Sequence, residues 1–215
     1  QLKSPSDFLG YELGTQFTRH HQVIDYVNHV AENSAFAQTT PYGKTNERRT
    51  LQLVYLSSPE NLAQLESLRK DHLRSIGYAE GEKETTKEFS VVWLSYNVHG
   101  NESTSTEAAL KTLYTLVTEK QDWLDNLIVI MDPCINPDGR DRYVNWYNQV
   151  KSTPFDSSPL ANEHFEEWPG GRYNHYYFDL NRDWAWLSQK ESQQRLPNYL
   201  AWMPQIHVDF HEQGV

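Results

Sequence analysis

The hydrophobic and polar positions of the chain follow two periods in alternation. Two short runs are apolar at nearly every position, FSVVWLSY (89–96) and NLIVIMDPCI (126–135), which is typical of strands covered on both faces. Longer segments with apolar residues at helical spacing separate such runs, most clearly at 18–34 and 105–120. This alternation predicts an α/β sandwich in which helices flank a largely parallel central sheet.

Further elements complete this pattern. RTLQLVYLSS (49–58) and QIHVDFHEQG (205–214) are predicted strands. A helix is predicted to begin at Ser58-Pro59-Glu60 and to continue to about residue 76, whereas Thr18 is a candidate cap for the helix over 18–34. Asn136-Pro137-Asp138-Gly139, directly after the second apolar run, has the composition of a turn.

Composition excludes several classes of protein. With 215 residues, 38% of them hydrophobic, we expect one domain over 1–215. A net charge of -10 argues against nucleic acid as a partner, because phosphate contacts need clustered Lys and Arg. A lone cysteine, Cys134, excludes an intrachain disulfide framework. No apolar run is long enough for a membrane span, and the N-terminus does not read as a signal peptide.

His99 and Glu102 stand where the first apolar run gives way to a helix. Zinc binds imidazole nitrogen and carboxylate oxygen, and a catalytic zinc site uses three protein ligands plus water. Two ligands from one short loop and a third from elsewhere would make such a site. The alternative is that Glu102 caps the helix and His99 is an ordinary loop histidine.

The last predicted strand supplies candidates for the third ligand. Period-2 alternation places His207, Asp209 and His211 on one face of this strand. Burial of such a row is costly unless each side chain has a hydrogen-bond partner. The alternative is a solvent-facing edge strand, on which these polar side chains stay hydrated at no such cost. His211 is better placed than His207, because it stands at the strand's carboxyl end, where ligands bind in open α/β sheets.

A third polar motif, YFDLNRDW (177–184), contains groups suited to a carboxylate ligand. The guanidinium of Arg182 can bind a carboxylate in bidentate fashion, and the amide of Asn181 can complete the contact. Asp179 could orient a metal-bound imidazole through its second ring nitrogen. A surface salt bridge is the competing interpretation for Arg182.

The ordered motifs HGNE, NPDG, DLNRDW and DFHE resemble those of the zinc carboxypeptidases, the carboxypeptidase A-like metallopeptidases. The resemblance extends over essentially the whole chain and implies a three-layer sandwich around a mixed, largely parallel sheet. It implies one zinc ion bound by His99, Glu102 and His211. It also implies that Asn181 and Arg182 bind the terminal carboxylate of the substrate, and that Asp179 orients His99.

Members of this family also use an arginine to stabilise the tetrahedral oxyanion. Arg172, shortly before DLNR, is similar in placement to that arginine in the cytosolic carboxypeptidase branch, and it is our candidate catalytic residue. Arg140 and Arg142 are rivals for the role. A cation aimed at the oxyanion supplies typically ~3 kcal/mol of transition-state stabilisation.

Two departures from the family pattern bear on function. Asn101 stands between the first two ligands, where pancreatic members carry an arginine, and HGNE also occurs in related zinc deacylases. The general-base glutamate of the family lies well downstream of the third ligand, so the resemblance implies that this sequence stops before it. Glu212 is the nearest carboxylate, but a continued strand would turn it away from His211.

Three functions therefore remain open. The first is a metallocarboxypeptidase that hydrolyses the C-terminal residues of peptides or proteins. The second is a zinc-dependent deacylase or amidase acting on N-acyl amino acids, and the third is a non-catalytic zinc-containing binding module. For the first, the partner is a peptide or protein C-terminus, and the family's frequent extracellular role leads us to expect a secreted or periplasmic protein.

Overall fold

A computed structural model describes residues 1–213 and contains one five-stranded sheet with helices on both faces. The strands are β1 (Ala37–Lys44), β2 (Thr50–Leu56), β3 (Ser90–Tyr96), β4 (Leu127–Asp132) and β5 (Ile206–Phe210). The α-helices are α1 (Pro5–Leu9), α2 (His20–Asn33), α3 (Pro59–Ala63), α4 (Leu65–Ser75), α5 (Thr104–Thr118), α6 (Pro137–Val150) and α7 (Lys190–Trp202). Within residues 1–213, no helix is both long and apolar enough to cross a bilayer.

The sheet is mixed, with the strand order β1-β2-β4-β3-β5. β3 pairs in parallel with both β4 and β5, whereas β1–β2 and β2–β4 are antiparallel. The carboxyl ends of β3, β4 and β5 therefore lie along one edge of the sheet, and HGNE, NPDG and the HE of DFHE directly follow them, whereas YFDLNRDW follows no strand. The predicted α/β class with a central mixed sheet is confirmed.

Alternate residues of the buried strands contribute to two separate hydrophobic clusters. Val129 and Met131 of β4 pack with α2 and α5 on one face, whereas Ile128 and Ile130 pack towards α4 and α7 on the other. Trp93, fully buried at the centre of β3, belongs to the second cluster. Because both faces are covered, these strands are apolar at nearly every position, as the sequence pattern predicted.

The predicted helix starts are partly correct. The Ser58 hydroxyl caps α3 and Pro59 occupies its first turn, as expected, but the helix ends at Ala63 and α4 begins at Leu65. The predicted Thr18 cap is wrong, because Arg19 is the N-cap of α2. Thr18 instead donates two hydrogen bonds to the buried carboxylate of Glu107, from its backbone N–H and from its hydroxyl.

The NPDG motif is a helix start as well as a change of chain direction. Asn136 is the N-cap of α6, its side chain accepts a hydrogen bond from the Gly139 N–H (3.0 Å), and Pro137 occupies the first turn. The turn predicted from composition is therefore corrected to the first turn of a 14-residue helix. The same residue types favour both, since Asn caps helices and Pro suits their first position.

Candidate active site

The three candidate metal ligands follow the carboxyl ends of two neighbouring parallel strands. His99 and Glu102 lie in the loop between β3 and α5, and His211 directly follows β5. At the ends of these strands, Tyr96 of β3 and Phe210 of β5 pair in register, and their rings stack with centroids 4.2 Å apart. One parallel strand pairing thus brings Glu102 and His211 together, although they lie more than a hundred positions apart in the sequence.

The ligand atoms of these three residues converge on one point. The Nδ1 atom of His99 lies 2.8 Å from Oε1 of Glu102, and the Nδ1 atom of His211 lies 3.0 Å from Oε2 of the same carboxylate. One ligand atom from each residue lies within 4.8 Å of the others. His207, the competing histidine, instead pairs with the Ser95 hydroxyl (2.9 Å), so the structure brings His211 to the site as expected.

In both histidines the second ring nitrogen, Nε2, contacts a further carboxylate. Nε2 of His99 lies 2.9 Å from Oδ1 of Asp179, and Nε2 of His211 lies 3.3 Å from Oδ2 of Asp209. Such contacts fix the ring orientation and tautomer of a metal-binding imidazole. The first pair was implied by the family resemblance, whereas the second was missed, although the Asp-x-His spacing of DFH is a signal that could have indicated it.

The electrostatics of the site favour ionised carboxylates. Burial on its own raises the pKa of Glu102, but the backbone N–H of Glu212 and the two imidazoles outweigh it and hold this pKa below its usual value. For Asp179, burial likewise acts to raise the pKa, and the hydrogen bond and charge of His99 outweigh it, so the pKa is lowered. Both groups are thus ready to act as anions around a cation.

Arg172 lies beside this cluster. Its guanidinium donates to Oε1 of Glu102 (3.4 Å) and to Oδ2 of Asp179 (3.3 Å), and its side chain remains partly exposed. The two rival arginines point elsewhere: Arg140 is fully buried in an ion pair with Glu107, and Arg142 donates to backbone carbonyl groups of residues 170–174. The position next to the candidate metal ligands therefore belongs to Arg172.

Close contact between glycines brings the Arg172 segment to the ligand loop. Gly100 packs directly against the backbone of Gly139 and Gly171, so a Cβ atom at position 100 would overlap both. Gly139 in turn lies against the carbonyl of Gly171. The HGNE loop, the first turn of α6 and the segment before Arg172 are thus in backbone contact, which only residues without a Cβ allow.

The two residues predicted to bind a substrate carboxylate are placed differently. Asn181 lines the cavity, and its N–H donates to Oδ1 of Asp179 (3.0 Å) in the short 3-10 turn Leu180–Arg182. Arg182 is exposed, does not line the cavity, and donates to the Asn181 carbonyl (3.4 Å). The structure therefore joins Asn181, but not the guanidinium of Arg182, to the candidate ligands.

The three candidate metal ligands, Arg172 and Asn181 line an open cavity of about 450 Å³. Its lining residues are His99, Asn101, Glu102, Arg172, Asn181, His211, Glu212 and Gln213. Glu212 was expected to point away, but β5 ends at Phe210 and the side chain lines the cavity, where its carboxylate accepts the Thr104 N–H (2.7 Å). The Asn101 amide donates to Glu166 (2.8 Å) at the same cavity.

The donor set suits zinc. Two imidazole nitrogens and one carboxylate are the ligands of a common class of catalytic zinc site, and the buried His99 has its far nitrogen satisfied by Asp179. A second group of metal-type side chains, Glu47, Asp138 and His175, is present in residues 1–213. There the guanidinium of Arg49 already pairs with both carboxylates, which makes that group a salt-bridge network.

The sequence matches the family model of the zinc carboxypeptidases over residues 23–199, so the chain belongs to that family. The matched region contains the first two candidate ligands, Arg172 and the DLNR motif. His211 lies beyond it, and its place in the site rests on the geometry described above. A comparison with curated proteins found no match.

Solved structures show the same fold. A putative carboxypeptidase A from Shewanella denitrificans is 16% identical with a TM-score of 0.58, over 92% of this chain and 41% of its own. Carboxypeptidase A from Helicoverpa armigera is 14% identical with a TM-score of 0.57, over 98% of this chain and 52% of its own. A metallo-carboxypeptidase from Pseudomonas aeruginosa is 14% identical with a TM-score of 0.55, over 92% and 40%. This chain thus spans about half or less of the length of these structures.

Proposed function

We propose that the protein is a zinc-dependent metallocarboxypeptidase that removes C-terminal residues from peptides or proteins. The observation that carries the proposal is the convergence of His99, Glu102 and His211 on one cavity that Arg172 and Asn181 also line. Membership of the zinc carboxypeptidase family supports both the metal and the reaction.

Each of the three ligands would contribute one atom to the metal. His99 and His211 would use Nδ1, the nitrogens that already face Glu102, while Asp179 and Asp209 hold the opposite ring nitrogens. Bound zinc supplies a Lewis acid and lowers the pKa of a water molecule to about 7. The chain's part is to hold the ligand atoms in place and to keep the carboxylates ionised.

Arg172 would stabilise the oxyanion of the reaction. Its guanidinium is held beside Glu102 and Asp179, and its exposed portion faces the cavity, where the carbonyl oxygen of a substrate gains negative charge. Fixed donors at such a position are typically worth about 3 kcal/mol of transition-state stabilisation. Neither Arg140 nor Arg142 lines the cavity, which favours Arg172 for the role.

Asn181 and Arg182 would bind the terminal carboxylate of the substrate. Asn181 lines the cavity, whereas the exposed Arg182 next to it does not and would have to rotate its long side chain towards the same carboxylate. No proton transfer is assigned to Glu212, because its carboxylate is bonded to the first turn of α5.

The test is hydrolysis of three matched substrates by the zinc-loaded protein. These are a peptide with a free C-terminal carboxylate, the same peptide with an amidated C-terminus, and an N-acetyl amino acid. We expect release of single C-terminal residues from the first, with kcat/KM roughly 10- to 100-fold lower for the amide, because charged hydrogen bonds to the carboxylate are lost. Equal turnover of the amide, or preferred turnover of the N-acetyl amino acid, would contradict the proposal in favour of an amidase.

A further inference from the structure

Asn97, directly after β3, has a backbone conformation that few residues adopt. It is fully buried and has a φ of 59°, in the left-handed region. Asn and Asp are enriched there among residues other than glycine, because their short polar side chains form local hydrogen bonds. The unusual φ turns the chain out of the strand and into the loop that carries the first two candidate ligands.

The side-chain amide of Asn97 is hydrogen-bonded inside that loop. Its Nδ2 atom donates to the carbonyl of His99 (2.7 Å) and to the carbonyl of Glu102 (3.0 Å). It also lies 3.5 Å from the carbonyl of Gly100. The two shorter contacts are therefore to the backbones of the two candidate ligands themselves.

The other atoms of Asn97 are fixed by the neighbouring elements. Its Oδ1 accepts from Nη1 of Arg140 (3.5 Å) and from the thiol of Cys134 (3.4 Å), and its carbonyl accepts the Asn136 N–H (3.1 Å). Arg140 also donates to the carbonyl of Ser103 at the end of the loop (2.7 Å). Donors thus face Oδ1 and acceptors face Nδ2, so the orientation of the amide is determined by its surroundings.

We propose that Asn97 is a positioning residue of the metal site, whose side-chain amide holds the 99–102 loop so that His99 Nδ1 and Glu102 Oε1 face one point. It does not touch the metal or the substrate, and it acts through the backbone carbonyls of the two ligands. The inference rests on the proposed zinc site. Metal affinity would then depend on the buried side-chain amide of Asn97 as well as on the ligands and their carboxylate partners.

The test compares Asn97→Asp and Asn97→Gly with the matched control Asn61→Asp. Asp keeps the tolerance for a left-handed φ but removes the N–H donors, and Gly keeps the φ and removes the whole amide. Asn61 is equally buried and its Nδ2 also donates into a cluster of oxygens (Ser57, Leu124 and Asp125), but none of these belongs to the candidate site. Zinc dissociation constants are measured by chelator competition, and thermal unfolding is measured on the metal-free proteins.

We expect both Asn97 variants to bind zinc roughly 10- to 100-fold more weakly, the range found when groups that orient metal ligands are removed. Asn61→Asp should stay within about threefold of the parent even though it lowers the unfolding temperature, which separates positioning from general stability. Zinc affinities of both folded Asn97 variants within about threefold of the parent would overturn the inference.

Hydrogen exchange on the metal-free proteins separates this inference from the proposed function. The Glu102 N–H donates to the His99 carbonyl (3.1 Å), one of the two carbonyls that Asn97 holds. Faster exchange of this amide in Asn97→Gly, but not in Asn61→Asp, supports the loop-holding role even if the parent binds no zinc and the proposed function fails. Unchanged exchange in Asn97→Gly would overturn the role even if the parent does bind zinc.

Discussion

Nε2 of His99 and Oδ1 of Asp179 are 2.9 Å apart, although the residues lie 80 positions apart in the sequence. His99 is buried, so this contact fixes its ring and leaves Nδ1 facing Glu102. We predict that Asp179→Asn weakens zinc binding about 10- to 100-fold in chelator competition, because the imidazole loses its anionic partner.

Asp183 is the matched control for that change. It lies four residues later, is fully buried where Asp179 is half-buried, and accepts hydrogen bonds from Ser188 and Gln189 and not from a histidine. Asp183→Asn should lower the unfolding temperature but leave zinc affinity near that of the parent. An equal loss of affinity in both variants would mean that the effect of Asp179 is one of general stability.

Arg172→Ala should reduce turnover while the metal is kept. We predict a fall in kcat/KM of about 100- to 1000-fold on a C-terminal peptide substrate, because the donor for the oxyanion is removed. Zinc content per chain should remain close to that of the parent, since Arg172 contributes no ligand atom. Arg74→Ala is the control, because that partly exposed guanidinium also pairs with two carboxylates, Asp71 and Glu84, and neither lines the cavity. Full activity of Arg172→Ala would exclude the role.

Asp132 makes stability depend on pH. Burial raises its pKa to about 7, even though the Tyr42 hydroxyl donates to it and Arg195 lies near, while the charge of Asp209 raises it further. The folded protein therefore retains a proton that the unfolded chain releases, so the free energy of unfolding falls as pH rises from about 4 to about 7 and levels off above.

The comparison of parent and Asp132→Asn isolates this effect. Urea unfolding at about pH 5 and about pH 7.5 should show a decrease in the free energy of unfolding that is larger in the parent by on the order of 2 kcal/mol. A decrease of the same size in both proteins would show that Asp132 is ionised in the folded state throughout this range.

Cys134 should not react with thiol reagents in the folded protein. It is buried, and burial raises the pKa of its thiol to about 12, so little thiolate forms near neutral pH. We predict no labelling by iodoacetamide in buffer and complete labelling in denaturant, measured by mass spectrometry of the intact chain. Rapid labelling in buffer would contradict the burial of this side chain.

The sequence was most informative where residue type and strand ends coincide. His99 and Glu102 could be predicted because an apolar run indicates a buried strand, and polar residues just after such strands gather at one edge of the sheet. Asp179 follows no strand, and its pairing with His99 was implied by the family resemblance of the DLNR motif. The choice between His207 and His211 also followed from position along the strand, and the hydrogen bond between His207 and Ser95 agrees with it.

Elements defined by weak local patterns could not be predicted in the same way. β1 contains polar residues and Pro41, with a register irregularity between Pro41 and Gly43, so it lacks the run typical of a buried strand. α6 begins with residues that equally favour a turn. The roles of Asn97 and Arg140 depend on contacts with backbone carbonyls, which have no signature in the sequence.

The central claim, that His99, Glu102 and His211 form one zinc site, is tested most directly by counting zinc per chain after dialysis, using plasma mass spectrometry. The proteins to compare are the parent, His211→Ala and the control His207→Ala. His207 lies in β5, shortly before His211, but its imidazole pairs with the Ser95 hydroxyl and not with the candidate ligands. We predict about one zinc per chain in the parent and in His207→Ala and a marked loss in His211→Ala. No zinc in a folded parent, or undiminished zinc in His211→Ala, would contradict the account.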